Sequence, residues 1–469
     1  MINNIYRIHV AKRQVSLLSS LRLLSIIQIS SLIGFASTAE SIKTVSGENK
    51  GAIRALANDH IVFDESDSTE GRAPLNTPTI ISLGGGRLVA ASELGVKKWR
   101  DAGNPWARIS TSDDGGLTWT PRTTANLNQA RLFRSGKSIY YLGYSGDLKI
   151  MRSDDRGETW SAPANLETKK AARWYAAACN VLKAKGNIYL VMERKVYTEN
   201  KSGWTIGDLA PVLMRAREGD DLTLPSSWTY ASELAFVDII PGYRENNLAI
   251  DFFGLPFFSQ NYPLAQQVSK GRSMYPMGWL ETNVVQFTDP EHLWFDPQQR
   301  TLHLFMRVHS GNTGYAAIAQ VVENEDGTMT TGLVKAPSGK TMLFLPFPGG
   351  HMKFHVEYDA KTKLYWMVGT QATDSMIRPE MMDKDRYQLG YNQRDRLVLH
   401  YSKNMVDWSF AGLVASVSGN VASRNYASMD IDGEDLVILS RSGDDRAHSA
   451  HNGNLITFHR IKNFRSLVW

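Results

Sequence analysis

The side chains whose type and spacing first point to chemistry are His351 and His355, four residues apart. On one helical face that spacing can hold a zinc ion. On a strand the two side chains still share a face but stand ~13 Å apart, too far to share one ion. His351 follows Pro348-Gly349-Gly350 and precedes a strand-like run, so no shared metal is expected, and His351 becomes a candidate proton-transfer group. Cys179 is the one cysteine, which leaves no partner for a disulfide within the chain; its apolar, strand-like surroundings make it a buried thiol without chemistry. Aromatic residues gather from about 233 to 280, among them Phe236, Tyr243, Phe252, Phe257, Tyr275 and Trp279, and form a candidate lid or sugar-stacking wall. Nothing in the pattern calls for a cofactor.

The elements that must position such residues are legible as repeats. Two short β runs joined by a Gly, Asp or Asn turn recur six times: Asn76 to Glu93, Gln129 to Tyr144, Ala177 to Arg194, Glu291 to Val308, Met352 to Gln371 and Tyr426 to Ser442. A third strand can be placed after most of them, for example at Trp106 to Ser110, Tyr315 to Val321 and Arg396 to Tyr401. Radial repetition lets many antiparallel strands avoid long open edges. The expected fold is therefore all-β, a six-bladed β-propeller of four-stranded antiparallel blades over residues 76–469. Residues 40–75 would supply an N-terminal segment and closing strand. The aromatic insertion stretches the spacing between the third and fourth units to about twice the others, so seven blades is the alternative. A propeller would bring His351, at the start of an inner strand, near the mouth of its channel.

Two turns are more specific. Ser112-Asp113-Asp114-Gly115-Gly116-Leu117-Thr118-Trp119 and Ser153-Asp154-Asp155-Arg156-Gly157-Glu158-Thr159-Trp160 share the pattern Ser-x-Asp-x-Gly-x-Thr-Trp, and Ser402-Lys403-Asn404-Met405-Val406-Asp407-Trp408 is a degenerate third. Asp and Ser can bond turn amides, Gly permits positive φ, and Trp plugs between sheets. With these Asp-boxes the chain resembles the sialidase superfamily from about Leu75 to Phe464. The resemblance implies a carbohydrate as partner and a site at the channel mouth. It makes Asp101 the candidate acid/base, Glu291 the base that activates a nucleophile, and Tyr426, in Tyr426-Ala427-Ser428-Met429, the nucleophile itself. It also assigns Arg307 and either Arg394 or Arg396 to a clamp for the substrate carboxylate.

The chain departs from the family at two linked places. Asn76 stands where the first clamp arginine is expected, and Leu439-Ser440-Arg441-Ser442 stands where a late carboxylate steadies that arginine. Ordinary α-sialosides are therefore expected to be poor substrates. A phenol activated by a neighbouring Glu approaches an anionic sugar with less repulsion than a carboxylate does, so Tyr426 with Glu291 points to an acidic sugar. The expected function is an exo-glycoside hydrolase. A polysaccharide lyase using His351 or Tyr426 as base, and a non-catalytic carbohydrate-binding propeller, are the alternatives.

At the N-terminus, Arg7, Lys12, Arg13 and Arg22 precede an apolar run from Leu23 to Phe35 that ends in Ala36-Ser37-Thr38-Ala39. This order reads as a signal peptide over residues 1–39, with a secreted or periplasmic product and no integral membrane segment after cleavage. Without it the chain has 48 basic against 47 acidic residues, which gives no reason to invoke nucleic acid.

Overall fold

The computed structural model describes residues 54–65, 74–94, 106–167, 173–175, 177–198, 204–240, 265–309 and 314–469. Asp101, the N-terminal segment read as an export signal, and residues 241–264 of the aromatic insertion lie outside the described residues. No helix among the described residues is long and apolar enough to cross a membrane.

The chain is a six-bladed β-propeller of antiparallel blades. Blade 1 is built from Asn76–Ser82, Leu88–Glu93, Ala107–Ser112 and Thr120–Ala125, and blade 2 from Asn128–Ser135, Ser138–Ser145, Asp147–Ser153 and Ala164–Glu167. In blade 3 the innermost strand is split into Arg173–Tyr175 and Leu182–Ala184, which both pair with Asn187–Lys195; Leu209–Arg217 and Thr229–Tyr230 follow. Blade 4 comprises Trp279–Val285, Thr301–Val308, Tyr315–Glu323 and Met329–Gly332, with Phe344–Pro346 on the free half of its third strand. Blade 5 comprises His355–Asp359, Leu364–Thr370, Arg396–Ser402 and Ser409–Ser416. Blade 6 runs Ser423–Asp432, Asp435–Gly443 and Leu455–Ile461, and its outer strand is His60–Asp64 from the other end of the chain.

The fourth unit corrects the expectation from sequence. Its innermost strand is Trp279–Val285, and Glu291 lies beyond that strand on an exposed turn. Asp289-Pro290 and Asp296-Pro297 break the extended run and detach it from its partner at Thr301–Val308. The alternative of a seventh blade fails because the residues described between blades 3 and 4 form one short helix, Phe236–Ile239, and one two-stranded hairpin, Gln266–Ser269 with Arg272–Met274. Phe236 and Trp279 are fully buried against each other, ring centroids 5.3 Å apart, as core between those blades.

The second strands are buried along nearly their whole length, as in Leu88–Glu93 and Leu364–Thr370, because each blade is covered by a neighbour on both faces. The six largest apolar clusters among the described residues accordingly lie one at every blade interface, including that of blade 6 with blade 1. The two complete Ser-x-Asp-x-Gly-x-Thr-Trp turns fasten these interfaces. Asp114 Oδ1 accepts from the amides of Leu117 and Thr118, Trp119 Nε1 donates to Gly116 O, and Asp155 and Trp160 repeat the arrangement. Gly116, at φ 99°, leaves room for Phe458 of blade 6, whose ring lies 2.4 Å from where a Cβ would stand.

One local feature positions the site. In blades 1, 2, 4 and 6 the innermost strand carries a bulge near its start, and the bulged residue is left-handed: Thr77 (φ 42°), Gln129 (φ 45°), Glu281 (φ 59°) and Tyr426 (φ 58°). Positive φ is unfavourable for such residues and is kept where a bulge re-aims a side chain. All four side chains line one cavity.

Candidate active site

The cavity of about 190 Å³ that receives these four residues adjoins a second of about 260 Å³, and Trp204, Tyr426 and His451 border both. The residues opposite the bulges complete the lining. Across the first strand pair of each blade, Asn76 faces Glu93, Asn128 faces Tyr144, Tyr175 faces Glu193, Leu280 faces Arg307 and Asn425 faces Arg441. The sheet register thus places one polar side chain from each of five blades around a single opening.

The smaller cavity is rich in carboxylates. Glu93 accepts from Thr77 Oγ1 at 3.2 Å and from the Gln129 amide at 2.6 Å, and burial raises its pKa. Glu193 accepts from the amide and hydroxyl of Thr282 at 2.9 and 2.8 Å; burial, with a smaller contribution from neighbouring Glu281, pushes its carboxyl up to about 7. Glu281 has a different environment, since both its oxygens lie 3.3 Å from Arg307 Nη1. Burial thus inclines Glu193 to hold a proton, and the neighbouring Glu281 is paired with a cation.

The larger cavity is cationic. Arg307 donates from Nε to the carbonyl of His351 at 3.0 Å and lies 5.4 Å over the Trp204 ring. Arg394 donates to Asn425 Oδ1 at 2.9 Å. Burial, then the fields of Arg441 and Arg307, lower its pKa to about 9. Arg441, which lines the smaller cavity, lies 3.9 Å over the Tyr426 ring that borders both and donates to the carbonyl of His451; burial lowers it to about 10. Three buried guanidiniums set in one another's fields form an electrostatic preference for an anion. On the same wall Tyr391 and His309 share a hydrogen bond through His309 Nε2, while Nδ1 lies 3.3 Å from the Tyr275 carbonyl. That carbonyl can only accept, so Nδ1 carries the proton and the Tyr391 hydroxyl donates to Nε2.

Of the residues singled out from sequence, Asn76, Arg307, Arg394 and Tyr426 line these cavities. Arg396 does not; it is partly exposed and donates to Thr373 Oγ1 at 3.2 Å, so the structure separates it from Arg394. Glu291 is exposed and lines neither, and the carboxylate on the blade-4 inner strand is Glu281. His351 is buried in the wall, where its carbonyl holds Arg307. His355 bonds Glu357 at 2.8 Å, and no group of three metal-ligating side chains occurs among the described residues. Of the aromatics described in the insertion, Tyr275 borders the larger cavity.

Sequence reasoning missed Glu93, Glu193, Glu281 and Arg441. Two of them, Glu93 and Arg441, had a signal, because strand-pair register repeats the interval from Asn76 to Glu93 in Asn128 to Tyr144 and Asn425 to Arg441 within one residue. The two departures from the sialidase pattern prove to be related. A carboxylate, Glu93, stands opposite Asn76 on blade 1 and an arginine, Arg441, on blade 6, and each feels the other's field.

No family model matches the chain, and no curated protein does. Solved structures resemble it at low identity. An α-L-arabinanase from Penicillium chrysogenum, complexed with arabinobiose, is 12% identical over 88% of this chain and 99% of its own, with a TM-score of 0.47. A protein of unknown function from Dyadobacter fermentans is 13% identical over 87% and 99%, with a TM-score of 0.49. A Trypanosoma rangeli sialidase in complex with sialic acid is 12% identical over 88% of this chain and 60% of that one, with a TM-score of 0.48. What those proteins act on is a property of theirs and is not carried across by likeness at this level.

Proposed function

We propose that this protein is an exported, sialidase-like exo-glycoside hydrolase acting on an acidic sugar. The observation that carries the reading is that Tyr426 and Glu281 are equivalent left-handed bulge residues on blades 6 and 4, aimed into one cavity beside Arg307 and Arg441. In this reading the Tyr426 oxygen attacks the anomeric carbon and passes its proton to Glu281. The bond to the leaving-group oxygen breaks, and that oxygen takes a proton from Glu193. Ionised Glu193 then draws a proton from water as the water displaces Tyr426, which recovers its proton from Glu281. The sugar leaves with retained configuration, since two displacements occur at one carbon. Arg307, Arg394 and Arg441 receive the anionic group.

A panel of aryl glycosides of carboxylated sugars, followed by proton NMR of the first-formed anomer, tests this. Release of phenol with retention, lost in Tyr426→Phe, is expected; inversion would overturn the tyrosine nucleophile.

A second reading has one observation in its favour. Tyr391, hydrogen-bonded to the uncharged ring of His309 beside Arg307 and Arg394, has the parts for proton abstraction next to a neutralised carboxylate. A lyase working this way forms an unsaturated uronate that absorbs in the ultraviolet, and the hydrolase does not. Affinity without either product would mark a binding propeller.

A further inference from the structure

A separate groove of about 510 Å³ lies between blades 4 and 5, and its chemistry is unlike that of the active-site candidate. Phe347, His351, Gln371, His400, Trp408 and Phe410 border it, and none of its described lining residues is Asp, Glu, Lys or Arg. Phe347 and Trp408 stack edge-on at 5.0 Å, His400 and Phe410 at 5.5 Å, and Phe410 is 37% exposed. Apolar faces with a few polar groups and no net charge match the CH faces and hydroxyls of a neutral sugar.

Two further observations point to a ligand. Three lining side chains keep a buried polar atom without a partner: His351 Nε2, His400 Nδ1 and Trp408 Nε1. Buried polar groups are normally satisfied, so three around one groove require an explanation. Trp408 is the sharper case, because Trp119 and Trp160 in the corresponding turns donate to the carbonyls of Gly116 and Gly157. In the third turn the indole N–H has given up that bond.

The groove is also next to the arginine cavity. His351 separates them: its ring stands edge-on to Tyr391 at 6.3 Å, and its carbonyl holds Arg307.

We infer that this groove binds the neutral saccharide chain to which the acidic sugar is attached. The inference rests on the hydrolase reading for the identity of its substrate, but not for the binding itself. The natural substrate is then an oligosaccharide with an acidic end, and a simple aryl glycoside leaves the groove unfilled.

Calorimetry separates the two claims. Tyr426→Phe protein, which cannot turn substrate over under that reading, is titrated with arabino-, xylo-, galacto- and gluco-tetraose. Saturable binding of at least one is expected, weakened about tenfold by Trp408→Ala and by a smaller factor by Trp408→Phe, which keeps an aromatic face but loses the indole N–H. Phe410→Ala, at an exposed ring, gives the same loss should Trp408→Ala fail to fold. Absence of binding across the panel, or binding unchanged by Phe410→Ala, overturns the groove. Turnover of an aryl glycoside by otherwise wild-type protein is unaffected by either change. Groove binding without such turnover removes the hydrolase alone, and turnover without groove binding removes the groove alone.

Discussion

The Arg441 guanidinium lies 3.9 Å over the ring of Tyr426, and the two come from adjacent strands of blade 6. A cation on the ring face favours negative charge developing on the phenol oxygen, and it also faces an incoming anion. Arg441→Gln is therefore expected to lower kcat and raise KM together, with a combined loss in kcat/KM of about 10²–10³. Steady-state kinetics on an acidic aryl glycoside check it. A change confined to KM would leave Arg441 as a substrate contact only.

Tyr426 and Glu281 are expected to act as one unit. Tyr426→Phe and Glu281→Gln should each reduce kcat by about 10³ or more, and the double variant by little more than either. Glu281→Gln also leaves Arg307 without its carboxylate, so thermal unfolding of each variant must accompany the kinetics. Additive losses would show that the two act in separate steps.

Glu193 gives a pH dependence of definite sign. With its carboxyl at about 7, the proton donor is present below that pH, and kcat is expected to fall as pH rises through it. Stability runs the same way: the folded state keeps the proton to higher pH than the unfolded chain, so stability is lost between about 4.5 and 7 as pH rises. Glu193→Gln should abolish the kinetic limb and, above pH 7, raise stability by up to about 3 kcal/mol. Denaturation at pH 5 and pH 8 supplies the comparison; equal effects at both would reject the assignment.

Gly116 tests closure of the ring. Its φ of 99° and the Phe458 ring, 2.4 Å from where a methyl would stand, leave Gly116→Ala both strained and overpacked against blade 6. A loss of about 2–4 kcal/mol is expected in chemical denaturation, against about 1 kcal/mol for Gly186→Ala, where φ 72° strains an added Cβ but nothing lies within 4 Å of it.

The positions of the two-strand units were legible in the sequence wherever a turn was short. Gly136 and Gly433, both at positive φ, join strands whose apolar runs sit close together, so Gln129 to Tyr144 and Tyr426 to Ser442 read directly as hairpins. Blade 4 was misread because a loop over residues 286–300, with two Asp-Pro steps, parts Glu281 from Arg307. A local pattern cannot carry register across such a gap.

The sequence by itself determined the repeat and the turn chemistry of Asp114 and Asp155, because each of these is set by neighbours within a few positions. Tertiary structure alone decided which residues meet at the axis. A strand's side-chain direction inverts with a slip of one residue, and the bulges at Thr77, Gln129, Glu281 and Tyr426 make that slip in four blades. It took closure of the ring to set Glu93 of blade 1 in the field of Arg441 of blade 6, and to make Arg394 a cavity residue while Arg396, two positions on, stays outside.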